Sequence, residues 1–311
     1  MSTRVTLLQT FLENRENAYA TAFSHDGSSF AAGGGLRSVF IYDVAAQKAI
    51  GGLADHKQSI YALLFSKSGK RFFTTGRDGT VMVYDEKFDK QATLLPEFDL
   101  ASVNPQLLPN YALMLSPDES ELYVAASGGV LRLYDAVSGA LKKVLPLHQG
   151  NIRTMAFSPT GELIATGSSD RFVKIIDAKT LNVLQTIEGH GDSVFSVQFS
   201  ADGKRFATGG KDARLRVWDV DGKTLKPRVK ILAHTFAIKG IAFIRGGREI
   251  MTVSQDKTIK IWDLDKVQAI ETIDRNLGGH TFTINSISVS PDESYFVTGS
   301  DDKTVKLWKL D

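Results

Sequence analysis

Residues 190–219 read HGDSVFSVQFSADGKRFATGGKDARLRVWD. Side chains alternate through its three runs. In the first, Phe195, Val197 and Phe199 alternate with Val194, Ser196 and Gln198. The second is Arg205-Phe206-Ala207-Thr208, and the third is Arg214-Leu215-Arg216-Val217-Trp218. A period of two sends successive side chains to opposite faces of an extended chain, so each run predicts a strand. Asp202-Gly203 separates the first two runs, and Asp212 stands between the second and third. Such dipeptides suit tight hairpins because glycine accepts the left-handed backbone they need. The segment therefore predicts short antiparallel strands rather than helices.

The unit recurs. Endings of the same kind are IYD at 41–43, VYD at 83–85, LYD at 133–135, IID at 175–177, VWD at 217–219, IWD at 261–263 and LWK at 307–309. Steps between them are 42, 50, 42, 42, 44 and 46 residues. A fourth run follows the ending, as in Leu181-Asn182-Val183-Leu184-Gln185-Thr186-Ile187. Four short strands cannot bury both faces alone, so seven such units must stack on one another. The last unit stops after its third strand at Leu310-Asp311. The N-terminal segment supplies the missing pattern, with Leu8-Gln9-Thr10-Phe11 matching Leu184-Gln185-Thr186-Ile187. It is expected to complete the seventh sheet and protect its edge.

Five units share a polar quartet at spacings of 18, 4 and 6. These are His56, Thr74, Asp78 and Tyr84; His148, Thr166, Asp170 and Ile176; His190, Thr208, Asp212 and Trp218; His234, Thr252, Asp256 and Trp262; and His280, Thr298, Asp302 and Trp308. The Asp is placed to accept turn N–H bonds and the imidazole N–H. The Thr hydroxyl can face the imidazole and accept from the indole. A hydroxyl–His–acid catalytic set is the alternative. It is disfavoured because the set occurs five times and a strand-interior Thr is a poor nucleophile. Units one and three break the pattern, with Asn14 and Gln106 at the His position, Ala32 and Val124 at the Thr position, and Leu36 and Gly128 at the Asp position.

These residues resemble the WD-repeat family. The resemblance implies an all-β, seven-bladed β-propeller of four-stranded antiparallel sheets, closed by the N-terminal strand joining the last blade. The expected boundaries are a single domain, 1–311, with strand 4–11 in blade seven and blades at about 14–54, 56–100, 106–147, 148–188, 190–233, 234–275 and 280–311. In that family the His, Ser/Thr, Asp and Trp link the loop before the first strand to the sheet, which makes the quartets structural. Partner contacts cluster at the end of each blade that carries that loop and the turn between second and third strands. The positions carried over are Tyr19, Tyr61, Tyr111, Arg153, Phe195, Lys239 and Asn285, five residues after the His position, and Arg77 and Lys211 before the turn Asp. Rings mixed with cations are what binding hot spots use. They suggest an acidic, partly apolar peptide or protein as partner.

The chain has 311 residues, a formal net charge of +2 and no cysteine, so disulfides, thiolate metal sites and cysteine nucleophiles are excluded. The even charge argues against nucleic acid as the partner of the whole chain. No phosphate loop, dinucleotide fingerprint, glycosylation sequon or calcium loop is found. The first residues lack a secretory apolar region, and no run approaches the ~20 apolar residues of a membrane helix. The expectation is a non-enzymatic scaffold or adaptor without metal or cofactor. It would be a monomeric propeller within a larger complex, carrying no further domain, cytoplasmic or nuclear and with no membrane partner. The alternatives are recognition of histone tails or nucleic acid, and a hydrolase or oxidoreductase with a central-channel site. Ala22, Ala156 and Ala242 on the first strands speak against the enzyme. The eight extra residues near Glu86–Asn110, with Pro96, Pro105, Pro109, Glu97 and Asp99, are either a second candidate binding loop or a spacer with no binding role.

Overall fold

A computed structural model describes residues 4–95 and 109–311. It contains seven four-stranded antiparallel sheets, the blades of a propeller. Six sheets are each built from four consecutive strands. Blade five is Val194–Phe199, Arg205–Gly210, Arg214–Asp221 and Thr224–Leu232. The seventh joins both chain ends. Val5–Phe11 pairs antiparallel with Val305–Leu310, Phe11 opposite Val305, as the repeat pattern predicts. Of the extra segment after blade two, Pro96, Glu97, Asp99, Pro105 and Gln106 lie outside the described residues.

Local chemistry explains the hairpins. In blade five Ser200 donates to Asp202 at 2.6 Å and accepts from the Arg205 N–H at 2.9 Å, while Asp202 accepts from the Lys204 N–H. Gly203 then takes φ +70°, a backbone state that costs other residues. The same Ser-x-Asp device closes the hairpins at Ser24, Ser116 and Ser290. Second strands are buried almost completely, Phe206, Ala207 and Thr208 among them.

The chain divides into two compact units, Met1–Leu147 with Asn285–Asp311, and His148–Ile284. In the first, Phe11 of the N-terminal strand packs with Phe30, Tyr42, Val297, Val305 and Leu307. In the second, Leu163, Ala165, Val173 and Ile175 of blade four pack with Val194, Val197 and Phe199 of blade five. Burying a large apolar side chain contributes about 1.5–3 kcal/mol, so these seams carry much of the fold's stability.

The first strands are more polar than the alanines suggest. Thr154 Oγ1 accepts from the Val197 N–H at 3.2 Å, Ser196 Oγ from the Ile241 N–H at 3.1 Å, and Gln198 Oε1 from the Phe243 N–H at 3.0 Å. In the other unit Ser288 Oγ accepts from the Phe23 N–H at 3.1 Å. Each bond ties one blade to the next through a backbone group that its own sheet leaves unpaired. Gln198→Leu should lower stability by about 1–2 kcal/mol, read as a shift in the urea midpoint, because the Phe243 N–H is left unsatisfied. An unchanged midpoint would show that these bonds do not stabilise the seam.

Candidate functional site

The polar quartets are buried networks. In blade six His234 Nδ1 lies 2.8 Å from Asp256 and Nε2 lies 2.7 Å from Thr252, while the Trp262 indole donates to Thr252 at 2.9 Å. An indole N–H can only donate, and a carboxylate only accepts. The chain of donors therefore runs from Trp262 to Thr252 to His234 to Asp256. Asp256 also accepts from the backbone of Thr235 and Thr258, which fastens loop to turn. Blades two and four repeat this with His56, Thr74 and Asp78 and with His148, Thr166 and Asp170, all between 2.7 and 2.9 Å. Where Tyr84 replaces the Trp, its hydroxyl instead donates to Asp55 at 3.0 Å. In blade seven Trp308 donates to Thr298 at 3.0 Å, and His280 is fully buried.

Electrostatics follow from this geometry. Burial alone would raise Asp78, but the His56 and Thr80 bonds outweigh it and hold the carboxyl at about 2. Burial, with weaker local charge effects, pushes His148, His190 and His234 below the ordinary histidine value.

Blade five carries the full His, Thr, Asp and Trp set, yet its network departs from that of blade six. Arg216 reaches inward and donates to His190 Nδ1 at 2.7 Å, to Asp212 at 2.9 Å and to the Gly189 carbonyl. A guanidinium only donates, so Nδ1 accepts and the imidazole proton sits on Nε2, facing Thr208 at 2.7 Å. The 3.4 Å separation of His190 from Asp212 is then not the expected hydrogen bond. Trp218 packs on Phe206, ring centroids 5.6 Å apart, and no bond to Thr208 is present among the described residues. The expected His–Asp and Trp–Thr links are thus replaced here by a buried ion pair.

At the loop ends the carried-over positions form local groups. In the first unit Tyr19, Tyr61 and Tyr111, on three consecutive blades, stand in a row. Centroid separations are 5.8 and 5.7 Å, and the second pair is stacked at 9°. Asn285 donates to Asp301 and to the Ala18 carbonyl, which makes it a blade-to-blade link. Arg77 is exposed. In the second unit Lys239 Nζ sits 4.4 Å above the Phe195 ring, Arg153 donates to Ser169 at 2.8 Å, and exposed Lys211 pairs with Asp192 at 3.1 Å. Every one of the seven fifth-position side chains is half-buried.

Two features escaped the sequence reading. Arg37, Arg171, Lys257 and Lys303 occupy the residue after the turn Asp position with φ between +66° and +79°, and all are exposed. Cationic side chains there sit where glycine would fit without strain. Phe236 and Phe282, each 58% exposed, project from the loops that carry His234 and His280. The repeated triplet His-Thr-Phe at 234–236 and 280–282 was the available signal.

Among the described residues no helix is long and apolar enough to cross a membrane. Comparison with known proteins places this architecture. The family model described as nucleolar protein 10-like, N-terminal domain matches residues 108–308, and that of the WD domain, G-beta repeat matches residues 47–85. Protein hir1 of Emericella nidulans is 36% identical over 74 residues, 21% of this chain and 7% of that protein. The intraflagellar transport protein 122 homolog of Danio rerio is 35% identical over 75 residues, 24% of this chain and 6% of that protein. The chain therefore spans less than a tenth of the length of these curated relatives. The first family match covers well over half of the residues, and the chain belongs to the WD-repeat β-propellers, in the family described as nucleolar protein 10-like, N-terminal domain.

Proposed function

We propose that this protein is a non-catalytic adaptor whose loop ends hold a partner protein or peptide of acidic, partly apolar character. The observation that carries the reading is the company that two half-buried cations keep. Lys239 lies over the half-buried Phe195 ring, and Arg153 is oriented by Ser169, so both charges are held in place. Prepositioned side chains lose little freedom on binding. The tyrosine row offers a second aromatic surface in the other unit. The His–Thr–Asp sets do not support catalysis, since the imidazoles of His148, His190 and His234 are fully covered and no substrate reaches them. The family description is of a nucleolar protein, so a nuclear extract is the first source in which to seek the partner.

Reversal of Arg153 and Lys239 to Glu should weaken capture of the partner at least tenfold, about 1.4 kcal/mol, while the unfolding midpoint stays within error. Undiminished capture by the doubly reversed protein would sink the reading. The same cations make a polyanion the competing occupant. Retention on a polyanion resin that falls steeply with salt, and disappears in the same variant, would assign this surface to nucleic acid instead.

A further inference from the structure

We propose that the loop end of blade six is a docking site for an unstructured acidic segment carrying a large apolar side chain. The inference rests on the adaptor reading but concerns residues outside the positions that reading used. The triplet His-Thr-Phe occurs in two successive loops, and both phenylalanines keep 58% of their surface in water. At the matching position other described loops carry Glu16, Gln58, Gly150 and Asp192. The fold therefore does not require a ring there. A pair of exposed rings with neighbouring Leu277, 49% exposed, is the composition of a contact surface rather than of a solvated loop.

Lys257 supplies the charge. Its Nζ lies 5.6 Å from the Phe282 ring centroid, and its turn is bound to the Phe236 loop. Gln255 donates to the Ala237 carbonyl at 2.9 Å, and Ser254 to the Phe236 carbonyl at 3.2 Å. Phe236 and the ammonium are thus carried on a loop and turn fastened to the buried His234–Asp256 network, and the ammonium reaches over the Phe282 ring. Lys257 holds φ +73°, a left-handed backbone that glycine would adopt without strain. Strain retained at an exposed cation points to use of the cation. Arg171, Lys211 and Lys257 are exposed on the turns of blades four to six, and Asp192 is already bound to Lys211. With Lys211 and Asp192 offsetting each other, exposed Arg171 and Lys257 are the charges left to complement a negative partner.

The ring faces decide between two anionic partners. Single-stranded nucleic acid binds by stacking bases on open aromatic faces. Here a face of Phe282 is approached by Lys257 and a face of Phe195 by Lys239. Carboxylates meeting those ammoniums, with an apolar side chain laid against Phe236 and Phe282, use the surface as it stands.

The test is fluorescence anisotropy with a labelled peptide, Asp-Glu-Phe-Asp-Asp-Leu-Glu-Asp, and with labelled oligo-uridylate. The wild-type protein should bind the peptide, and Phe236→Ser combined with Phe282→Ser should weaken it at least tenfold. Lys257→Gly should weaken it comparably while keeping or raising the unfolding midpoint, which separates loss of the cation from loss of the fold. Lys70→Glu, an exposed cation in the other unit outside the binding positions, should leave binding unchanged. Wild-type protein that ignores the peptide, or variants that bind it as tightly, would overturn the proposal. Oligo-uridylate bound more tightly than the peptide, and lost with the same substitutions, would overturn it in favour of nucleic acid. Partner capture that survives the Phe236 and Phe282 changes but not reversal of Arg153 and Lys239 removes this site and leaves the adaptor reading intact.

Discussion

Asp212→Ala is expected to destabilise the protein by about 3–5 kcal/mol, the cost of leaving a buried charge without its counter-ion. Arg216 has 6% of its side chain exposed and Asp212 has 10%, with 2.9 Å between them. Alanine at 212 also strands the N–H groups of Gly191 and Arg214, which the carboxylate accepts at 3.0 and 3.2 Å. Asp256→Ala removes the equivalent carboxylate of blade six, but no arginine faces it, and the cost there is about 1–3 kcal/mol from unpaired donors. Guanidinium unfolding of both variants gives the comparison. Adding Arg216→Met to Asp212→Ala should recover much of the loss, because replacing a buried ion pair by apolar side chains is often near neutral. Equal costs at Asp212 and Asp256, or no recovery in the double variant, would show that Arg216 is not held by charge.

Why Arg216 went unread is a matter of what periodicity encodes. Alternation puts it on the face of Trp218, opposite Thr208, but no interval tells whether its guanidinium enters the quartet or turns away from it. The matching positions hold Lys174, Lys260 and Lys306. Whether such a side chain turns inward depends on reach and on the carbonyl it meets, as Lys260 does with Ala233 at 2.8 Å. Blade count, strand order and the role of Val5–Phe11 were legible because each rests on spacing along one chain. The quartets were legible as candidates for the same reason: a network linking fixed points of a sheet requires fixed intervals. The bonds from Thr154, Ser196 and Gln198 were not, since their partners lie on the next blade and no interval within a repeat reports a neighbour's free N–H. Phe236 and Phe282 were overlooked on different grounds. The positions carried over from the family were the fifth after the His and the residue before the turn Asp, and a ring at the second position carries no periodic signature. Its repetition in two loops did, and exposure then separated it from the core.

Acid should begin to destabilise this protein before its carboxylates titrate. Burial holds His148, His190 and His234 below their ordinary value, so the folded state resists protonation that the unfolded chain accepts near pH 6.5. Below that pH the unfolded chain binds more protons, and stability falls as pH falls, by up to about 1.4 kcal/mol per pH unit for each histidine. Three together give a slope of at most about 4 kcal/mol per pH unit, in the window between pH 6.5 and their folded values. A second loss follows below about pH 4, where Asp78, Asp170, Asp212 and Asp256, all held below the usual carboxylate range, begin to lose the advantage that ionisation gives the folded state. Urea midpoints measured in half-unit steps of pH resolve the two windows. His234→Gln removes one titrating ring and should flatten the upper window by one proton's worth without moving the lower onset. A midpoint that stays level from pH 6.5 to pH 5 would mean that the folded imidazoles titrate as they do in the unfolded chain, and one that rises as pH falls would mean that they hold their protons in the fold. The donor order from Trp262 through Thr252 to Asp256 would then be wrong, because a protonated ring has no nitrogen left to accept from the threonine.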